Sequence, residues 1–186
     1  MRIGLISDTH IPGGALEVPE LVKKAFESVD LIIHGGNVYI PSVIDWLESI
    51  APIKVAGSVD RDRGCHGDPR VAEKLVMELE GHTVAAVHDL MVPGFGGFVY
   101  PDVLKTHFNW DRSRPIVPDH VFGESVDIVI FGHTCTALVE EYDRQMLINP
   151  GSPTLRNQQK RIGTVAILEL TPGSRDVHIV DLEKMS

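Results

Sequence analysis

Cysteine is nearly absent: Cys65 and Cys135 are the only two in 186 residues. Two thiols cannot build the disulfide framework that small secreted domains depend on, so a reducing, cytoplasmic setting is expected. Long apolar runs are missing as well. The N-terminal stretch Ile3–Ile6 is soon stopped by Asp8, and no other run approaches the roughly 18 residues that a spanning helix needs. Neither a membrane span nor a signal segment is therefore expected. Basic residues are outnumbered, 17 Lys and Arg against 26 Asp and Glu, and they form no run. A net charge of −9 without a basic patch argues against a grip on a nucleic-acid backbone or an anionic bilayer. A chain of this charge that handles phosphate groups would do so better with metal ions than with its own cations. Repeats, low-complexity tracts and linkers are lacking too, and 43% hydrophobic content over 186 residues suits one globular domain covering 1–186.

What is present is a strand–helix rhythm in the first third. Arg2–Ile6 reads as a buried strand ending at Ser7-Asp8-Thr9-His10, and Pro19 suits the first turn of a helix running to about Ser28. Asp30–His34 reads as a second strand with the exit loop Gly35-Gly36-Asn37. Pro41–Ile50 reads as a helix, with Val43, Ile44 and Leu47 at helical spacing, and Ile53–Ala56 as a third strand ending at Gly57-Ser58-Val59-Asp60. Such alternation implies parallel strands joined by right-handed crossovers. Further on, Leu75–Glu80 and Thr83–Val87 flank Gly81-His82 as a hairpin leading to His88, and Asp127–Phe131 is a buried strand ending at Gly132-His133. Ala137–Tyr142, Met146–Ile148, Ile162–Leu170 and Asp176–Leu182 read as an antiparallel series. Residues 89–124 are rich in glycine and proline and read as an irregular insertion or lid, with one short helix near Val103–Trp110. The fold class read from this pattern is α/β with mixed sheets.

Polar residues collect where the strands stop: Asp8 and His10, Asn37, Ser58 and Asp60, His88 and Asp89, His133 and Cys135. Ligands of open α/β sheets bind at the carboxyl ends of strands. A divalent ion needs several convergent donors from rigid elements, and His, carboxylate and thiolate are the usual ones. Any one of these residues alone reads as a loop cap; the ordered set points to a metal site. His34, His66, His82, His107, His120 and His178 have no motif around them and read as surface or loop residues. Cys65-His66 lacks a second pair at zinc-binding spacing.

The ordered blocks SDTH, HGGN, GSVD, VHDL, FGHTC and INPGS resemble those of the metallophosphoesterase (calcineurin-like) family, from Met1 to about Asp181. The likeness is to its small bacterial and archaeal phosphodiesterases and to the retromer coat subunit of the same fold. The resemblance implies a four-layer α/β/β/α sandwich and a binuclear site, in which two metals share a bridging Asp and activate a water that attacks phosphorus. Carried over residue by residue, it implies metal-ligand positions at Asp8, His10, Asn37, Ser58, His88, His133 and Cys135. Asp8, His10, His88 and His133 keep the family's residue types. Asn37 stands in place of the bridging Asp, Ser58 in place of an Asn ligand, and Cys135 in place of a His; Asp89 and Leu90 replace the rest of an H-G-H block.

These departures bear on the chemistry. Two dications about 3.5–4 Å apart repel strongly, and an Asn amide offers one neutral oxygen where a carboxylate offers two anionic ones. Cys135 reads either as a thiolate ligand, favouring zinc, or as a small buried hydrophobe. Ser58 reads as a turn residue before a ligand, and a turn-stabilising role falls to Asp60. The expected function is thus a metal-dependent phosphoesterase, in particular a phosphodiesterase acting on a small phosphate ester, with a partly degenerate site. The expected cofactor is one or two divalent transition-metal ions, manganese first, with zinc, iron or nickel as alternatives. The other reading is a catalytically weak or inactive member acting as a binding or scaffold protein, as the coat subunit does with an Asn at the same bridging position. A homo-oligomer is left open.

Overall fold

The structure, a computed structural model, describes residues 1–58, 62–91, 99, 121–142, 144–154 and 163–185. In chain order the strands are β1 (Arg2–Ile6), β2 (Leu31–His34), β3 (Ile53–Ala56), β4 (Val71–Ala72), β5 (Lys74–Leu79), β6 (His82–Val87), β7 (Ile128–Phe131), β8 (Leu138–Tyr142), β9 (Gln145–Asn149), β10 (Thr164–Thr171) and β11 (Ser174–Asp181). Two helices, α1 (Glu20–Ala25) and α2 (Pro41–Glu48), connect the first three strands. One sheet has the order β11-β10-β1-β2-β3-β4 and the other the order β5-β6-β7-β9-β8.

Both sheets are mixed. β1 to β4 run parallel, with β10 antiparallel to β1. β6, β7 and β9 run parallel between the antiparallel edge strands β5 and β8. Strands covered on both faces need apolar residues on both, which is why β1, β2 and β7 read as unbroken hydrophobic runs. Alternation then sorts them. Ile3 and Leu5 of β1 and Leu31 and Ile33 of β2 face the second sheet, against Val84, Ala86, Ile128, Ile130 and Ile148. Ile6 and Ile32 point the other way, under Val22 and Phe26 beside α1 and Val43, Ile44 and Leu47 of α2. Each such aliphatic side chain taken out of water contributes about 1.5–3 kcal/mol. The outer face of the second sheet carries Ala85, Val87, Val129, Phe131 and Leu147, covered by Leu90, Val99, Val121 and Phe122. Helix, sheet, sheet and outer cover are the layers expected of the sandwich.

The C-terminal strands correct one expectation. They form not a single antiparallel series but two hairpins in different sheets: β8 with β9 in the second, β10 with β11 in the first. β9 lies parallel to β7, and the chain crosses between sheets after it. The short helix expected near Val103–Trp110, most of the 89–124 insertion and the turn residue Asp60 lie outside the described residues. No helix among the described residues is long and apolar enough to cross a membrane.

Candidate metal centre

The carboxyl ends of β1, β2 and β3 meet those of β6 and β7 across the two sheets. Backbone bonds lock the exits together: Asp8 N–H donates to Gly36 O and His10 N–H to Asn37 O, both at 2.9 Å, and Gly132 N–H donates to His88 O at 3.1 Å. Space is tight there. A Cβ at Gly132 would lie 2.6 Å from Gly35 O and 2.9 Å from Asp8 Oδ2, and one at Gly36 would lie 2.5 Å from His88 Nδ1. Real Cβ atoms do not approach so closely, so these positions admit only glycine without movement. Three of the exit loops carry paired residues with positive φ: Asp8 (53°) and His10 (49°), Asn37 (59°) and Tyr39 (67°), His133 (71°) and Cys135 (53°). The left-handed region is uncommon for residues with a side chain, and such strain clusters at functional sites.

Other residues hold the strained loops. Asn149, at the end of β9, donates to Gly132 O at 2.8 Å and accepts from Gly151 N–H at 2.9 Å. Ser152 donates to Asp8 O at 2.7 Å, Thr154 to Thr9 O at 2.6 Å, and Ser7 to Gly151 O at 2.7 Å. The intact NPGS block thus fastens the SDTH loop to the FGHTC loop. Asp62 fastens the next pair: one oxygen accepts from the backbone N–H of Asn37 (3.0 Å) and Ser58 (2.7 Å), the other from that of Tyr39 (2.9 Å).

His34 overturns its reading as a surface residue. Its side chain is fully buried at the end of β2. Gly36 N–H donates to its Nδ1 at 3.0 Å, which leaves the proton on Nε2 to reach Thr9 Oγ1 at 3.2 Å. Thr9 donates in turn to Asn37 O at 3.3 Å. Burial pushes the imidazole pKa down to about 4, against the opposing fields of Asp62 and Asp8. His34 is therefore a neutral brace between two exit loops.

Two groups of donor atoms result. Asp8, His10 and Cys135 form the first: His10 Nε2 lies 3.4 Å from Asp8 Oδ1 and 3.6 Å from Cys135 Sγ, while its Nδ1 meets the Tyr39 hydroxyl at 2.5 Å. Asn37 joins it by donating Nδ2–H to Asp8 Oδ1 at 2.9 Å. Burial pushes the Asp8 carboxyl pKa up, but the contact with His10, the field of His88 and the Asn37 amide outweigh it and hold it below the ordinary range. His88, Asp89 and His133 form the second: His133 Nδ1 lies 2.5 Å and His88 Nε2 3.9 Å from Asp89 Oδ1. His88 donates Nδ1–H to Gly35 O at 2.6 Å, which fixes the tautomer and leaves the Nε2 lone pair inward.

The donor set fits divalent ions on a physical ground. Asp8 Oδ2, Asn37 Oδ1 and His88 Nε2 are buried, and none has a hydrogen-bond partner among the described residues. An unpaired buried polar group costs about 1–3 kcal/mol, and a cation held among these atoms would satisfy them. Asp8, His10, Asn37 and Cys135 thus come together, as do His88 and His133. Ser58 reaches the assembly through its backbone N–H, which donates to Asp62 Oδ2 at 2.7 Å. Sequence reasoning missed Asp62 and His34 as parts of the site; it placed Asp89 among the polar strand ends beside His88 but not among the metal-ligand positions.

Residues 1–173 match the calcineurin-like phosphoesterase superfamily domain. A probable metallophosphoesterase of Methanothermobacter thermautotrophicus is 36% identical over 156 residues, covering 83% of this chain and 78% of that protein. A phosphodiesterase of Methanocaldococcus jannaschii is 25% identical, over 81% of this chain and 83% of its own. Among solved structures, a single mutant of Vps29 from Entamoeba histolytica superposes with a TM-score of 0.69 at 18% identity, over 97% of this chain and 99% of that one. An archaeal phosphodiesterase superposes with a TM-score of 0.64 at 21% identity, over 97% of this chain and all of the other. The sandwich, the ordered blocks at its strand ends and these matches lead to one assignment: the chain belongs to the calcineurin-like phosphoesterase superfamily.

Proposed function

We propose that this chain is a metal-dependent phosphoesterase acting on small phosphodiesters, with its donor groups at the carboxyl ends of β1, β2, β6 and β7. The observation that carries the reading is the set of buried, unpaired atoms Asp8 Oδ2, Asn37 Oδ1 and His88 Nε2. Divalent ions held there would supply Lewis-acid activation of water and neutralise charge developing on the phosphoryl oxygens. Asp8 and His10 would hold one ion, with Cys135 and the Asn37 amide oxygen beside them; His88 and His133 would hold the other. The chain's own part is orientation. Tyr39 turns His10 so that Nε2 faces Asp8, and the Gly35 carbonyl holds the proton of His88 on Nδ1. Asn37 occupies one oxygen of Asp8 and leaves the other open. Manganese is the first ion to test, and zinc, favoured by the Cys135 sulfur, is the next.

A second reading has one observation in its favour. At the position of the family's bridging carboxylate stands a neutral amide, already committed to Asp8 by its nitrogen. That suits a weak or silent catalyst serving as a binding or scaffold protein. Hydrolysis of bis(p-nitrophenyl) phosphate by the purified chain separates the two. The phosphoesterase reading expects slow turnover that appears with added manganese or zinc and vanishes with a chelator. Rates equal to buffer plus metal across about pH 6–9 would leave the scaffold reading.

A further inference from the structure

We propose that Asp89 makes the His88–His133 half of the site a self-contained centre of two histidines and one carboxylate, which binds its ion independently of the Asp8–His10–Cys135 half. This rests on the metal-dependent reading above. Two cations that share an anionic bridge are coupled, because each stabilises the charge the other needs. Asn37 provides no such charge, and its amide nitrogen is spent on Asp8 Oδ1 at 2.9 Å. The anions are distributed instead, Asp8 to one triad and Asp89 to the other, and within each triad the donor atoms lie within 4.8 Å of one another.

The second triad is built rather than incidental. Asp89 follows His88 directly as the chain leaves β6, and the bond from Gly132 N–H to His88 O sets the exits of β6 and β7 side by side. That places Asp89 Oδ1 2.5 Å from His133 Nδ1, with the two histidine rings edge to face at 5.4 Å between centroids. His88 is 2% exposed, and its Nε2 has no hydrogen-bond partner among the described residues. A buried imidazole with one nitrogen tied to a carbonyl and the other open toward a carboxylate and a second imidazole is a preoriented metal ligand. The two triads also differ in softness. Cys135 gives the first a sulfur donor, whereas the second offers only nitrogen and oxygen, the donor set of many zinc and non-haem iron centres.

Cobalt(II) titration of the full chain, followed by its visible bands, by the near-ultraviolet thiolate-to-cobalt band and by equilibrium dialysis, tests this. The expectation is two equivalents in the wild type, with the thiolate band belonging to one of them. Asp89→Asn weakens one equivalent by at least about tenfold, the least that loss of even a supporting group costs a metal site, and leaves the thiolate band unchanged in amplitude and midpoint. Asp89→Glu keeps both equivalents. Cys135→Ser removes the thiolate band, which separates it from any contribution of Cys65, and keeps the equivalent that Asp89→Asn loses. The Asp89 side chain is 45% exposed, so the two Asp89 substitutions leave the core intact. Two equivalents of unaltered affinity in Asp89→Asn, or loss of both in either Asp89→Asn or Cys135→Ser, would overturn the independent centre while leaving the phosphoesterase reading standing. A wild type that binds no cobalt would overturn both.

Discussion

The β10–β11 turn and the loops that carry the donor groups handle the same backbone problem in opposite ways. At the end away from the donor groups, β10 turns into β11 through Pro172-Gly173, and Gly173 takes a φ of +78°. Proline followed by a glycine of positive φ is the sequence of a type II turn, and it is adopted without steric conflict. At the carboxyl ends of β1, β2 and β7 the left-handed conformation falls to Asp8, His10, Asn37, Tyr39, His133 and Cys135 instead. Glycine stands at that end too, at Gly36 with a φ of +88° and at Gly132, and at both a side chain would collide with its neighbours. The β10–β11 turn is a cheap reversal of the chain, while Ser28 and Glu80 at the same end also take positive φ. The other end carries strain in order to aim side chains, and the hydrogen bonds of Asn149, Ser152, Thr154, Asp62 and His34 hold it in place.

The largest contrast between the ends should appear in activity. Asp8→Asn removes the anion of the first triad and should lower metal-dependent hydrolysis at least about a hundredfold, equivalent to roughly 2.7 kcal/mol, whereas Gly173→Ala should leave it unchanged. Steady-state assays with an aryl phosphodiester measure both, and equal losses would erase the distinction. Stability comes next. Gly132→Ala should cost about 2–3 kcal/mol, because the added methyl meets the Gly35 carbonyl and overpacking of this kind is not relieved by rotamer changes. Gly173→Ala should cost only about 1 kcal/mol, the strain of one side chain at positive φ. Urea unfolding of the two variants ranks them, and the reverse order would refute the packing argument.

Asn37→Asp sharpens the comparison within the site. It would set a second carboxylate 2.9 Å from Asp8 Oδ1 in place of a donated hydrogen bond. The metal-free protein should lose about 1–3 kcal/mol, and added manganese should restore more of it than in the wild type, since a bound cation stabilises the folded state by linkage. Melting curves with and without metal report the difference, and a stabilised metal-free variant would contradict it.

The smallest effect is a dependence on pH. His34 resists protonation in the folded state down to about 4, while the unfolded chain takes up the proton near 6.5. Between these values the unfolded state binds more protons, so His34 contributes a stability that is complete above about 6.5 and is lost as pH falls toward about 4. Urea unfolding across this window should show a shallower slope in His34→Gln than in the wild type. Identical slopes would mean that His34 is not the neutral brace assigned to it.

Much of this was legible from the chain. The apolar runs of β1, β2 and β7, the helical spacing of Val43, Ile44 and Leu47 and the ordered polar blocks set out the parallel strands and the edge at which the site forms. What escaped lay in contacts that local pattern does not encode. β4 is two residues long, too short for any periodicity, and depends on bonds from Val55 N–H to Arg70 O and from Gly57 N–H to Ala72 O. Arg70 also binds Asp45 and Glu48 of α2. Alternation marked the C-terminal hairpins but could not say which sheet each joins. His34 reads as polar by type, and its burial follows only from the SDTH loop folding over it. Asp89 looked like the loss of a family residue until β7 brought His133 beside it.

Metal content tests most directly whether the strained strand ends hold divalent ions. Elemental analysis of the full chain, purified without chelators and dialysed against manganese or zinc, should find about two equivalents per chain, the number a two-metal site holds. His88→Ala and Asp8→Asn should each lower that content. A wild type without bound metal after dialysis would contradict the account.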